Sequence, residues 1–99
     1  MIRIPFPDFL REPLKENRVK CFARTQIFGN SGDQFEAFGC FFIITDLIRR
    51  PLSEVFTNYW EQCGFNSEEH MRSDWKRIYW IAKRDESEDV WLHFIKKTA

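Results

Sequence analysis

The stretch over residues 21–39 has the pattern of a strand, a short polar loop and a second strand. Alternation of side-chain types predicts the first strand over residues 20–28 and the second over residues 34–38. Gly29 and Gly32 lie between the strands and are free to adopt the positive φ angles of a turn, while Asp33 is expected to cap it. We expect the rest of the chain to form a scaffold around the first strand.

The residues after this unit predict a buried strand, two helices and a last strand. Residues 40–48 are apolar without alternation until Thr45, which indicates a central strand buried on both faces. Two amphipathic helices are indicated by apolar residues at helical spacing. These residues are Leu52, Val55, Phe56, Tyr59 and Trp60, then Met71, Trp75, Ile78 and Tyr79. A charged loop over residues 83–89 precedes a final strand over residues 90–95.

The order of elements is helix, three strands, two helices and a strand. Because strands and helices are grouped rather than alternating, the sequence predicts an α+β fold. A small, curved mixed sheet or partial β-barrel with helices packed around it would close such a fold. The 99 residues suit a single domain spanning residues 1–99.

Charge and cysteine content restrict the classes of function. A formal net charge of zero argues against non-specific wrapping of duplex nucleic acid, but it leaves room for a local basic cleft. Cys21, Cys40 and Cys63 lack the spacing of a zinc site, and their odd number indicates free thiols in the cytoplasm. The longest apolar run is too short to span a membrane. His70 and His93 are far apart in sequence, so no metal and no cofactor is expected.

The first predicted strand carries the candidate binding residues. One face alternates cations with aromatic rings: Lys20, Phe22, Arg24, Gln26 and Phe28. The other face is small and mostly apolar, and is expected to face the core: Cys21, Ala23, Thr25 and Ile27. Rings that stack on bases beside cations that contact phosphates are typical of strands that bind nucleic acid. The alternative is a half-exposed strand whose Lys20 and Arg24 are merely solvated.

Several motifs, in order from about Lys15 to Lys97, resemble the ASCH domain of the PUA-like β-barrel group. They are Cys21-Phe22-Ala23-Arg24-Thr25, Gly29-x-x-Gly32-Asp33-x-Phe35, Pro51-Leu52-Ser53-Glu54-Val55, Gly64-Phe65-Asn66-Ser67-Glu68-Glu69, Trp75-Lys76-Arg77-Ile78 and Val90-Trp91-Leu92-His93-Phe94. The resemblance implies a small PUA-like barrel, with a cleft lined by the first strand beside the helices.

The resemblance also bears on catalysis. The family pattern Gly-x-Lys-x-x-Thr-x-Arg retains only its arginine here, as Arg24, although Lys20 is adjacent to the lysine position. Relatives that hydrolyse acylated cytidine use that lysine and threonine with a glutamate, and these positions are Val19, Phe22 and Cys63. Because valine and phenylalanine cannot transfer protons or act as nucleophiles, the sequence argues against the same hydrolase chemistry.

Three hypotheses follow, of which the first is favoured. The first is a module that binds RNA or a nucleotide-like ligand through Arg24, Thr25, Lys20, Phe22, Arg18, Arg49 and Arg50. The second is a weak ribonuclease or an amidohydrolase on modified nucleosides, with Lys20, His93 or Cys63 as candidate catalytic groups. A lone histidine on a last strand is more often structural than catalytic. The third is a protein-interaction domain of transcription or RNA metabolism, whose partner surface would use surplus aromatic rings.

Overall fold

The computed structural model of the chain describes residues 1–79 and 86–98, with residues 78 and 79 by backbone alone. A 3₁₀ turn over Asp8–Leu10 leads into helix α1. The helices are α1 (Arg11–Lys15), α2 (Leu52–Tyr59) and α3 (Glu68–Tyr79). The strands are β1 (Cys21–Arg24), β2 (Gln34–Ala37), β3 (Cys40–Pro51) and β4 (Asp89–Lys97). Among the described residues, no helix is long and apolar enough to cross a membrane.

The four strands form one curled antiparallel sheet in the order β1-β4-β3-β2. Strand β4 therefore separates β1 from β3, and the register shifts between Ile44 and Asp46 of β3. Such a bulge bends a strand and increases its twist. The predicted α+β class and curved sheet are confirmed, but the strands are antiparallel rather than mixed. An isolated bridge between Ile2 and Phe35 adds a parallel contact at the β2 edge.

Two hydrophobic clusters pack against opposite faces of the sheet. One cluster joins α2 and α3 to the sheet: Cys21, Ala23, Leu52, Val55, Phe56, Cys63, Met71, Trp75, Val90 and Leu92. The other includes the N-terminal segment and α1: Ile4, Leu10, Leu14, Val19, Phe22, Phe35, Ala37, Phe42, Ile44 and Ile95. Because neighbouring residues of β1 belong to different clusters, this strand is buried on both faces.

Strand β1 differs from the prediction in length and in exposure. It ends at Arg24, because the chain bends there and the Phe28 N–H donates to Nε2 of His93. The prediction that the Phe22 ring faces a ligand is wrong, since Phe6 packs edge-on against that ring with centroids 5.0 Å apart. Ile27 was expected in the core and is 45% exposed.

Strand β3 lies inside the sheet, as predicted, and extends to Pro51. It is not buried on both faces, because Phe41, Thr45 and Asp46 are exposed. The β2–β3 turn passes through Phe38 and Gly39, both at positive φ.

Both amphipathic helices are confirmed, and their apolar stripes face the sheet. Helix α3 is capped by Ser67, whose Oγ accepts the His70 N–H at 3.0 Å. The predicted burial of Ile78 and Tyr79 lies outside the described side chains. Residues 86–89 of the predicted charged loop are exposed, and residues 83–85 lie outside the described part of the chain.

Candidate functional site

Arg24 lies inside the protein rather than on a binding face. Its side chain is buried, with 9% of the residue exposed. One guanidinium nitrogen donates to the Ala23 carbonyl and the other to the Pro5 carbonyl, both at 2.9 Å. The guanidinium carbon lies 4.8 Å from the centroid of the Phe22 ring and 5.1 Å from that of Phe6. Arg24 therefore ties the N-terminal segment to β1 through hydrogen bonds and cation–π contacts.

His93 also has a structural position. It is fully buried, its Nε2 accepts the Phe28 N–H at 3.1 Å, and its Nδ1 lies 3.2 Å from the Trp91 carbonyl. A neutral ring with the proton on Nδ1 satisfies both partners. Burial lowers the pKa of His93, which favours that neutral form. Since both ring nitrogens are used within the protein, this geometry favours the structural role over the catalytic one.

The three positions that correspond to hydrolase groups in the ASCH resemblance are buried. Val19 and Phe22 are each 2% exposed. The Sγ atoms of Cys63 and Cys21 are 3.5 Å apart, and this hydrogen bond together with burial raises the pKa of the Cys63 thiol. A thiol in such surroundings stays protonated and is a poor nucleophile.

The place where the resemblance implies a cleft, between β1 and the helices, holds a cavity of only about 20 Å³. Arg24, Cys63, Met71 and Trp75 contribute to its wall. This volume accommodates about one water molecule. In this conformation the first strand therefore presents no space for a nucleotide beside α3.

Arg49 and Arg50 lie toward the opposite end of the sheet from Lys20. Arg49 is paired with Asp89 at 3.0 Å, and Arg50 approaches Glu54 at 4.0 Å. In the β3–β4 register Arg49 faces Trp91, whereas Lys20 accepts a hydrogen bond from the Ile95 N–H. Four residues of a strand span about 13 Å. The structure thus separates these arginines from Lys20.

An open pocket of about 390 Å³ lies where the segment before β1 meets the turn after α2. The N–H groups of Lys20 and Cys21 both donate to the Gln62 carbonyl, at 2.6 and 3.1 Å, and this joins the two segments. Gly64 has a φ of +89°, and a Cβ there would lie 2.7 Å from Cγ2 of Val19. Only glycine fits both the backbone angle and this close approach. We call this site the end pocket; it is lined by Asn17, Arg18, Lys20, Glu61, Gln62, Gly64 and Phe65.

The end pocket combines three kinds of binding group. Arg18 and Lys20 supply cations, although Arg18 also pairs with the exposed Glu16 at 3.1 Å. Asn17 and Gln62 supply amides, and Phe65 supplies a ring. Of these, the sequence had indicated Arg18 and Lys20 as ligand contacts. It missed the role of Gln62 and Phe65, because the hydrogen bonds that bring residue 62 to residue 20 span distant parts of the chain.

Thr25, the remaining sequence candidate, follows the end of β1 and is partly buried, away from the end pocket. The second histidine, His70, lies in the first turn of α3. Its Nδ1 accepts the Asn66 N–H at 3.1 Å, and its Nε2 lies 3.0 Å from the buried Asp74 carboxylate. Within the residues that the structure describes, no cluster of three or more His, Cys, Asp or Glu could hold a metal ion.

No protein-family model matches this chain, and neither the curated proteins nor the solved structures give a match to it.

Proposed function

We propose that this protein is a module that binds RNA or a nucleotide-like ligand, and that the ligand occupies the end pocket. The proposal rests on one observation: Arg18 and Lys20 line the same open pocket as two amide side chains and an aromatic ring. A volume of about 390 Å³ falls in the range of small-ligand sites, about 300–1,000 Å³.

Five of the lining side chains match parts of a nucleotide, while Glu61 adds a carboxylate to the wall. The Lys20 backbone is fixed by hydrogen bonds to Gln62 and Ile95, while its side chain is exposed to solvent and can meet a phosphate. Arg18 can make a second, bidentate phosphate contact. The partly buried Phe65 ring, which also packs against Phe9 and His70, can contact a base. The amides of Asn17 and Gln62 can donate to and accept from the edge of that base.

The proposal extends to the fold family. A curled antiparallel sheet with α2 and α3 against one face is compatible with a PUA-like barrel and an ASCH-like domain. The buried Val19, Phe22 and Cys63 support binding rather than the family's amide hydrolysis. Among the described residues the cysteines are free thiols, which suits a cytoplasmic location.

The test is a titration of a labelled eight-nucleotide single-stranded RNA at low salt, comparing the wild type with Lys20→Gln. The control is Lys76→Gln, which removes the same charge from an exposed position on α3. We expect Lys20→Gln to weaken binding about fivefold, since roughly 1 kcal/mol corresponds to that factor, and Lys76→Gln to have no effect. Equal binding by all three proteins would contradict the end pocket as the site. Cleaved RNA on a gel would favour the ribonuclease instead.

A further inference from the structure

We propose that the ligand is a strand of single-stranded RNA several nucleotides long, whose phosphates follow a track of lysines leading out of the end pocket. This inference rests on the proposed function and names its ligand. The track consists of Lys20, Lys96, Lys97 and Lys15.

Three separate segments bring these lysines to one end of the sheet. The Ile95 N–H donates to the Lys20 carbonyl at 2.9 Å, so the chain beyond Ile95 continues past the end pocket as Lys96 and Lys97. The ammonium group of Lys97 donates to the carbonyl of Lys15, the last residue of α1, at 2.9 Å. The end of α1, the segment before β1 and the end of β4 are thereby in contact.

The charges at this end differ from those elsewhere. Together with Arg18, the four lysines make five cations; the other charged residues of the same segments are Arg11, Glu12, Glu16 and Glu61. This leaves an excess of three positive charges on a chain whose formal net charge is zero. Within the described residues none of these lysines forms an ion pair, whereas Arg49, Arg50 and Arg72 at other sites are each paired with a carboxylate. The lysines are therefore available to a polyanion.

The composition of the surface favours a single strand of nucleic acid. A mononucleotide would engage the end pocket through Arg18 and Lys20, but it would leave Lys15, Lys96 and Lys97 without a role. Duplex RNA has its base faces stacked and its Watson–Crick edges paired, and these are the parts that Phe65 and the pocket amides can contact in a single strand. A lipid surface or an acidic peptide would match the lysines but not the pocket. A single strand that places one base in the end pocket and its phosphates along the lysines contacts both the pocket and the track.

The experiment compares affinities for adenosine monophosphate, for single-stranded RNAs of two, four and eight nucleotides, and for an eight-base-pair RNA duplex. Inorganic polyphosphate and phosphatidylserine vesicles serve as anions without bases. We expect affinity to rise at least tenfold from one to eight nucleotides. Between 50 and 200 mM salt, engagement of five cations gives a log–log slope of about −3.5, because each neutralised phosphate of a single strand contributes about −0.7.

Two lysine variants complete the test. Lys96→Gln should reduce the magnitude of the slope by about 0.7 and weaken binding of the eight-nucleotide strand while leaving mononucleotide binding unchanged. Lys76→Gln should change neither. If the mononucleotide binds as tightly as the longest strand, or if Lys96→Gln binds like the wild type, the track is wrong although the end pocket stands. Equal affinity for polyphosphate, vesicles or the duplex also overturns the inference. Failure of every nucleotide ligand to bind overturns the proposed function itself.

Discussion

The imidazole of His93 lies flat on the phenyl ring of Phe22, with the ring centroids 4.6 Å apart and the planes at 8°. These residues are also paired across β1 and β4, so the stack joins the two strands through both backbone and side chains. The stack shows that Phe22, the aromatic residue of β1, packs in the core. The candidate ligand contacts therefore lie before β1 rather than on it.

The buried His93 should make stability depend on pH. Burial lowers its pKa in the folded protein, whereas the unfolded chain takes up the proton near pH 6.5. Because the unfolded state binds the proton first, stability is retained above that pH and is lost as the pH falls through it, by at most about 1.4 kcal/mol per unit. Urea denaturation at pH 8 and pH 5.5 measures the difference.

The matched variants for this prediction are His93→Gln and His70→Gln. Glutamine can still accept the Phe28 N–H, but it cannot be protonated, so the first variant should lose part of the pH dependence whatever its stability at pH 8. The second should keep it. An identical pH dependence in the wild type and His93→Gln would show that His93 does not titrate as its burial requires.

Replacement of Arg24 should affect folding more than binding. Arg24→Leu deprives the Ala23 and Pro5 carbonyls of their charged donors and should cost about 3 kcal/mol, since each such hydrogen bond contributes about 1.5–3 kcal/mol. Arg24→Lys keeps the charge and should cost less. Denaturant unfolding gives the stabilities, and an RNA titration of the folded variants gives the affinities.

The same pair of variants separates the two candidate sites. Because Arg24 lies outside the end pocket, folded Arg24→Lys should bind RNA like the wild type. A loss of binding with unchanged stability would restore the sequence-based hypothesis that Arg24 contacts the ligand.

The helices were predictable because their signals are local. Leu52 and Phe56, like Met71 and Trp75, repeat at the helical period and lie in the core as expected. The fate of β1 was not predictable in this way. The alternation of cations and aromatic residues in β1 is typical of a half-exposed strand. This face is buried because Phe6 and Pro5, which are distant in sequence, cover it.

In the candidate site, too, local signals were predictable from the sequence and contacts between distant residues were not. The sequence names Arg18 and Lys20 as cations near the first strand, and nothing in their own neighbourhood indicates Gln62. That neighbour depends on backbone hydrogen bonds across some forty residues of chain, formed only after β1 and the turn beyond α2 are both in place. Periodicity carries no information about such contacts.

Gly64 should be needed for the shape of the end pocket. Gly64→Ala puts a methyl group 2.7 Å from Cγ2 of Val19 and forces alanine to a φ of +89°. The control is Gly39→Ala, where φ is +80° and no atom lies within 4 Å of the added carbon. Backbone strain, about 1–2 kcal/mol, is common to both. Thermal or urea unfolding should therefore show a clearly larger loss for Gly64→Ala, together with weaker RNA binding. Equal losses would mean that the contact with Val19 relaxes freely.

Replacement of Phe65 and replacement of Lys96 should both weaken RNA binding, but they should differ in their effect on the salt dependence of the affinity. Phe65→Leu keeps an apolar side chain against Phe9 but removes the ring, and loss of base stacking costs about 1–3 kcal/mol. Since stacking releases no counterions, the salt slope should stay at its wild-type value. Lys96→Gln should instead reduce the slope. The control Phe41→Leu changes an exposed ring outside the end pocket and should leave affinity and slope unchanged. If Phe65→Leu binds like the wild type while Lys96→Gln lowers the slope, the lysines hold the phosphates and the pocket does not stack a base on Phe65.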